Sequence, residues 1–178
     1  MYFLRAEKVT STQSRICFFN TLTRKKEVFK SLEAGKVKMY TCGPTVYDFA
    51  HIGNFRAFLF EDLLKRWLVQ RGFKVTHVMN LTDIDDKTIK GSQKQGVPLQ
   101  QFTDFYVKAF FEDIKALNIE PAGVYPKATD YIPEMVNLIK ILMTKGFAYK
   151  GEDYSIYFSV CKFTDYGKMS KIKVGELK

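Results

Sequence analysis

The stretch from Lys36 to Leu81 constrains the fold more than any other part of the chain. Lys36-Val37-Lys38-Met39-Tyr40-Thr41-Cys42 alternates polar and apolar side chains and stops at Gly43-Pro44. That is the pattern of a strand closed by a turn. Further on, Phe55, Phe58, Leu59, Leu63, Trp67 and Leu68 recur at three- and four-residue spacings, with Arg56, Glu61, Lys65, Arg66 and Gln70 between them. This spacing predicts an amphipathic helix over 55–70. Asn54 is placed to cap its start and Gly72 to stop its end. Lys74 to Leu81 reads as a second strand. Strand, helix, strand in this order is a βαβ unit, which requires parallel pairing and a right-handed crossover. The fold class is therefore α/β.

The flanking segments are read in the same way. Residues 1–16 form an N-terminal extension, and Phe18 to Phe29 forms a hairpin turning near Thr21 to Lys25. Helices are predicted over Asp83 to Gln95, closed by Gly96 and Pro98, then over Leu99 to Leu117 and Pro133 to Lys145. The stripe of the second is Phe102, Phe105, Tyr106 and Phe110. Pro121 to Pro126 is expected to be a connector. Ala148 to Val160 is expected to form a hairpin around Gly151-Glu152-Asp153. With 178 residues there is room for one large domain, or for a domain and a half.

Composition narrows the classes. At 46% hydrophobic and 15% aromatic residues the chain can bury a core, so broad disorder is excluded. No apolar run approaches the ~18 residues of a membrane span, and Met1 to Arg15 lacks a secretory apolar segment. No membrane association and a cytoplasmic location are expected. The net charge of +9 suits a polyanionic partner or a nucleotide phosphate, and equally a solvated lysine-rich surface. Cys17, Cys42 and Cys161 are scattered, without the spacing of a disulfide framework or a metal knuckle.

In open α/β sheets ligands gather beyond the carboxyl ends of the strands. That place holds Cys42 to Asn54. The helix that follows aims its free N–H groups and positive dipole end back at this loop, which makes an anion site suited to a triphosphate. A histidine such as His51 can donate a hydrogen bond to phosphate oxygens. Gly53, having no side chain, permits close approach to the backbone. Asn54 can donate an amide hydrogen without carrying charge. Asp83, Asp85 and Asp86 could gather magnesium, but acidic residues in the first turn of the following helix are the simpler reading.

The string His51-Ile52-Gly53-Asn54 resembles the "HIGH" signature of class I aminoacyl-tRNA synthetases. Phe19 to Glu27, Met39 to Asp48 and Asn80-Leu81-Thr82-Asp83-Ile84-Asp85-Asp86-Lys87 resemble successive blocks of the cysteinyl-tRNA synthetase family, in its order and spacing. The resemblance runs from about Phe19 onward. It implies that residues 17–90 are the first half of a Rossmann-like nucleotide-binding domain. Residues 91–178 would then be an incomplete, largely helical connective insertion. It further implies ATP with magnesium, L-cysteine and tRNA(Cys) as substrates, and a monomeric enzyme. His51, Ile52, Gly53 and Asn54 would bind ATP, with His51 and Asn54 catalytic. Gly43 and Thr82 would line the cysteine pocket. Cys42 would be one ligand of a zinc ion that also takes the substrate thiolate, the remaining ligands lying past residue 178. Zinc binds sulfur at ~2.3 Å and favours the deprotonated thiol. A metal–thiolate bond can therefore separate cysteine from serine where packing cannot. An alternative ligand set of Cys42, Cys17, Cys161 and His77 is not favoured, because His77 falls inside the second strand and reads as an ordinary strand residue.

Lys168-Met169-Ser170-Lys171 resembles the second class I signature, but Ile172 replaces its last serine and it stands too close to His51. The adjoining Phe163 to Lys168 resembles a segment of the family's insertion. It is read as a solvated basic stretch. Two other functions fit the same chain: a cysteine ligase of thiol biosynthesis acting on an amino sugar, and a truncated, non-catalytic paralogue that binds RNA or protein.

Overall fold

The computed structural model describes residues 15–171, so most of the expected extension over residues 1–16, and Ile172, lie outside the described residues. The chain forms two compact units. One runs Ser31–Thr144, and the other combines the chain up to Lys30 with the chain from Lys145 onward.

The first unit contains the βαβ element. Strands β3 (Lys36–Thr41) and β4 (Lys74–Met79) pair in parallel, from Lys36 opposite Lys74 to Thr41 opposite Met79. Val37 and Met39 turn inward, while Lys36, Lys38 and Tyr40 are exposed, as the alternation requires. The predicted connector Pro121 to Pro126 does more than connect. It runs along the free edge of β4, with bridges Val78–Val124 and Leu81–Lys127. Met79 N–H donates to Val124 at 3.1 Å, and Leu81 N–H donates to Pro126 at 2.8 Å. An edge strand otherwise leaves these groups unpaired. The prolines hid the segment, since neither can donate to a ladder and both read as breakers.

Between the strands lies α1 (Ile52–Gln70), three residues longer at its start than predicted. Of its predicted stripe, Phe58 and Leu68 are buried and Phe55 is half-buried, whereas Leu59, Leu63 and Trp67 are exposed. The middle of the buried face belongs instead to Asp62. Its carboxylate accepts from Arg66 Nε at 2.8 Å and from the backbone N–H of Glu120 at 3.0 Å. Lys65 reinforces the tie by donating to the Pro121 carbonyl at 2.9 Å. A buried carboxylate is tolerated only with such partners.

Helices α2 (Asp86–Gln95) and α3 (Leu99–Ala116) pack on one another beyond β4. The core gathers Phe58, Met79, Leu81, Phe110, Ile114, Ile119 and Ala122, edged by Phe55, Val107, Phe111 and Tyr125. Its aromatic pairs meet edge to face, with Phe58–Phe110 at 5.3 Å and Phe111–Tyr125 at 4.9 Å between centroids. α2 begins at Asp86, not at the predicted Asp83. Asp85 is its cap, accepting from Lys87 and Thr88 N–H at 2.9 and 2.8 Å. Asp83 is instead buried and binds the N–H and hydroxyl of Thr129 at 3.0 and 2.5 Å. Of the three acids, only Asp85 and Asp86 serve the helix start. α4 (Ile132–Thr144) ends the unit and has no buried residue among those described.

The second unit holds two antiparallel pairs, β1 (Cys17–Asn20) with β2 (Lys25–Val28), and β5 (Ala148–Lys150) with β6 (Ile156–Phe158). Both predicted hairpins are present. Val160 falls outside the second, in a short 3-10 turn.

Replacing Asp62 by alanine would strand the Glu120 N–H and the Arg66 guanidinium. Asp62→Ala is expected to cost about 2–3 kcal/mol in urea denaturation. A loss below about 0.5 kcal/mol would contradict the anchoring role.

Candidate active site

The chain leaving β3 is stapled to the chain leaving β4. Val46 N–H donates to Thr82 at 3.1 Å and Thr82 N–H donates to Pro44 at 3.0 Å. The Asn80 carboxamide fills the gap between them. Its oxygen accepts from Gly43 N–H at 3.2 Å and from the Tyr40 hydroxyl at 3.1 Å, and its nitrogen donates to Thr82 Oγ1 at 3.1 Å. Gly43 is dictated by this seam, since a Cβ there would lie 1.8 Å from the Asn80 carbonyl oxygen. Cys42, one residue earlier, is exposed and has a free thiol.

The loop then reaches α1 through His51, which is the helix cap; the predicted cap, Asn54, is the third helical residue. His51 Nδ1 accepts from Gly53 N–H at 3.0 Å, while Asn54 Oδ1 accepts from His51 N–H at 3.1 Å. The two side chains form a reciprocal capping box. In a neutral ring that accepts at Nδ1, the proton is on Nε2. His51 is thereby left with a single N–H donor for a ligand. Gly53 serves the same cap, because a Cβ there would lie 2.8 Å from His51 Cε1. Phe49, within the loop, is held edge-on by Phe105 and Tyr106 of α3 at 5.8 and 5.4 Å. Phe105, part of the predicted apolar stripe, is exposed on its helix apart from this contact.

These turns enclose a cavity of about 440 Å³. Cys42, Gly43, His51, Gly53 and Asn54 line it together. Ile52 does not; it is 88% exposed. Thr82 lines a neighbouring cavity of about 490 Å³ with Tyr40, Asn80, Lys127 and Tyr131. Asn80 thus stands between the two residues expected to share one pocket. Among the lining residues that drew no role from the sequence are Tyr47, Asp48 and Lys87. The Lys87 ammonium stands 4.7 Å from the Tyr47 ring centroid. The block Thr82 to Lys87 at a strand end was the available signal, and its acids drew the attention.

Beneath the loop lies a polar layer. Thr41 Oγ1 is 2.9 Å from His77 Nε2 and also acts to lower the Glu61 pKa, while Glu61 Oε2 has no hydrogen-bond partner. His77 is buried, and its Nδ1 has no partner. Burial, then Lys65, pushes its pKa down, against the opposing pull of Asp62. Burial pushes Glu61 up, partly offset by Thr41. His77 is therefore tied through Nε2 to Thr41.

For zinc, the free and exposed Cys42 thiol suits one ligand position. Among the described residues no three His, Cys, Asp or Glu side chains come together as a metal set. Cys17 and Cys161 belong to the other compact unit, as does Lys168 to Lys171. There Lys168 pairs with Asp165, and the Ser170 carbonyl accepts from Arg24 at 3.2 Å.

A parallel βαβ unit with a cavity at a histidine-capped helix start is the fold that the resemblance to class I tRNA synthetases implied. A family model for the class I (C) tRNA synthetase catalytic domain matches residues 28–178, and the chain belongs to that family. Among its curated relatives, the cysteine–tRNA ligase of Chlamydia caviae is 52% identical over 168 residues, covering 94% of this chain and 35% of the relative. That of Chlamydia pneumoniae is 53% identical over 161 residues, covering 90% and 34%. That of Protochlamydia amoebophila is 51% identical over 159 residues, covering 89% and 33%. The chain therefore spans about a third of the length of these relatives. Among solved structures, the ternary complex of Agrobacterium radiobacter K84 agnB2 LeuRS, tRNA and LeuAMS superposes with a TM-score of 0.58 at 22% identity. It covers 67% of this chain and 16% of that one, and at this identity it speaks for the fold alone. No helix among the described residues is long and apolar enough to cross a membrane.

The polar layer sets a pH dependence. Glu61 has a raised pKa when folded, so its contribution is present below the usual carboxylate range and is lost as pH rises through the folded value. His77 has a lowered one, so its contribution is present above the usual imidazole value and is lost as pH falls through the folded value. Glu61→Gln is expected to stabilise the protein at about pH 8 by under about 1 kcal/mol, the side chain being partly solvated, with the gain gone by about pH 4. Chemical denaturation at both pH values checks this; a gain equal at both would refute it.

Proposed function

We propose that this chain carries the amino-acid-activating part of a cysteine–tRNA ligase. The observation that carries the proposal is the convergence of the Cys42 thiol, the His51 Nε2–H donor and the start of α1 on one cavity. Residues 17–90 supply the first half of the nucleotide-binding domain and residues 91–178 part of the insertion. The substrates are L-cysteine, ATP with magnesium and tRNA(Cys), in a monomeric cytoplasmic enzyme.

Activation requires the cysteine carboxylate to attack the α-phosphate of ATP while pyrophosphate leaves. A tRNA terminal ribose hydroxyl then takes the cysteinyl group from the adenylate. Negative charge moves onto phosphate oxygens in the first step, so fixed donors count for more than any covalent chemistry by the protein. His51 Nε2–H is such a donor, backed by the positive end of the α1 dipole; the Gly53, Asn54 and Phe55 N–H groups are already taken by His51. α1 carries no acidic residue in its first turn to oppose an anion. Asn54 holds the His51 backbone, and Gly53 keeps room for the imidazole. Ile52 contributes only its backbone, its side chain being exposed. Gly43 and Thr82 shape the amino-acid side of the site through the Asn80 seam.

Cys42 would hold one ligand position of a zinc ion. When bound, zinc supplies a soft centre that selects a thiolate over an alcohol. The thiol sits where the seam immobilises its backbone, which suits a ligand that must meet a metal in one geometry.

Two substitutions test these roles in the full-length protein. Asparagine caps helices well, so His51→Asn keeps the cap but removes the imidazole donor. Stability should stay within about 0.5 kcal/mol, while cysteine-dependent ATP–pyrophosphate exchange falls about 100-fold. Equal exchange rates would remove His51 from catalysis. Cys42→Ala should leave no bound zinc by elemental analysis, and retained zinc would exclude Cys42 as a ligand. Exchange without transfer to tRNA(Cys) would favour a ligase with an amino-sugar acceptor.

A further inference from the structure

We propose that Lys87 is a phosphate-binding residue of the β3–α1 cavity, supplying the mobile positive charge that the His51 turn lacks. This rests on reading the cavity as a nucleotide site.

Lys87 is the second residue of α2, directly after the cap Asp85 and after Asp86. A cation there opposes the helix dipole and costs about 0.3–1 kcal/mol. The neighbouring acids show the arrangement that dipole favours. Its ammonium is not directed to a carboxylate: among the ion pairs of the described residues Lys87 has none. It rests instead over the Tyr47 ring at 4.7 Å, a contact worth only about 0.5–1 kcal/mol at an exposed site.

Both partners line the cavity that holds Cys42, His51 and Asn54. The fixed donor there is the His51 ring, backed by the positive end of the α1 dipole, the Gly53 and Asn54 N–H groups being already bonded to His51. Asp48 is the acid of the lining, and its Oδ1 accepts from Phe49 N–H at 2.8 Å. A cation held weakly at the mouth of an anion site can exchange its aromatic face for phosphate oxygens at little cost. Lysine, a flexible point charge with three donors, suits that task.

The same chemistry could come from the ATP polyphosphate or from a phosphate near the 3′ end of the RNA, and the assays separate them. In the full-length protein, Lys87→Met is compared with Lys87→Arg and the parent. Cysteine-dependent ATP–pyrophosphate exchange contains no RNA. If ATP is the ligand, kcat/KM for ATP falls about 100-fold in Lys87→Met and recovers in large part in Lys87→Arg. If the RNA phosphate is the ligand, exchange is unchanged while kcat/KM for tRNA in aminoacylation falls by a similar factor. Either result supports phosphate binding and assigns its source. Both parameters within about twofold of the parent would overturn the proposal. Lys87 is exposed, so thermal melts of all three proteins should coincide. If the parent shows no exchange at all, the ligase reading fails. Lys87 is then judged by equilibrium binding of magnesium–ATP and of inorganic pyrophosphate, where equal affinities in parent and Lys87→Met would also overturn it.

Discussion

The seam at Asn80 is the constraint on which the site depends. Three segments meet there: the end of β3 through Tyr40, the turn through the Gly43 N–H, and the end of β4 through Thr82. Two backbone hydrogen bonds between Pro44, Val46 and Thr82 extend the pairing past the last ladder residue. Val46, 1% exposed, plugs the loop into the protein. A loop that would otherwise be free to move thus becomes an extension of the sheet. Cys42 inherits a fixed backbone while its side chain remains exposed, which is the combination a ligand-binding thiol requires. The near contact at Gly43 shows how closely the two strand ends approach.

The start of α1 uses one imidazole for two purposes. Capping consumes Nδ1 and orients the ring, and the remaining nitrogen is then a donor by default. The signature residues His51, Gly53 and Asn54 can each be explained by local folding alone: the cap, the space for the cap and the reciprocal acceptor. The ligand interpretation does not compete with that account. Organisation by the helix start is what leaves the Nε2–H as a donor at the positive end of the α1 dipole, without a reorganisation cost when an anion arrives.

Much of this was legible in the sequence, for identifiable reasons. Alternation at Lys36 to Cys42 and the βαβ order sufficed for the parallel pair, because a crossover through a helix brings the second strand back in the same direction as the first. The cluster of Cys42, Gly43, His51, Gly53 and Asn54 followed from its position at a strand-to-helix turn. What failed depended on contacts distant in sequence. Asp62 displaces an apolar residue from the buried face of α1 because its partner is Glu120, which no periodicity reveals. Asp83 leaves the α2 start for Thr129, 46 residues away. Pro121 to Pro126 pairs with β4 despite its prolines, because only the carbonyls and the non-proline N–H groups are used. Thr82 belongs to a second cavity because the Asn80 carboxamide stands in between. The two compact units divide the chain at the hairpins, a grouping of distant segments that local pattern does not reveal.

The polar layer under the loop adds a further level to the same arrangement. Thr41 is the last residue of β3 and the one before Cys42, and its hydroxyl lies between His77 on β4 and Glu61 on α1. A hydroxyl has a single hydrogen, so it can donate to only one of them, and the other must donate to it or go without. With Glu61 ionised, the hydroxyl donates to the carboxylate and His77 must carry its proton on Nε2. The imidazole Nδ1 then remains an unsatisfied acceptor in the interior, in keeping with its lack of a partner. The direction of hydrogen bonding across the sheet is therefore tied to the charge on Glu61. An apolar layer here would avoid the two unpaired atoms, Glu61 Oε2 and His77 Nδ1. The hydrogen bond between His77 and Thr41 instead ties the last residue of β3 to β4, one residue before Cys42.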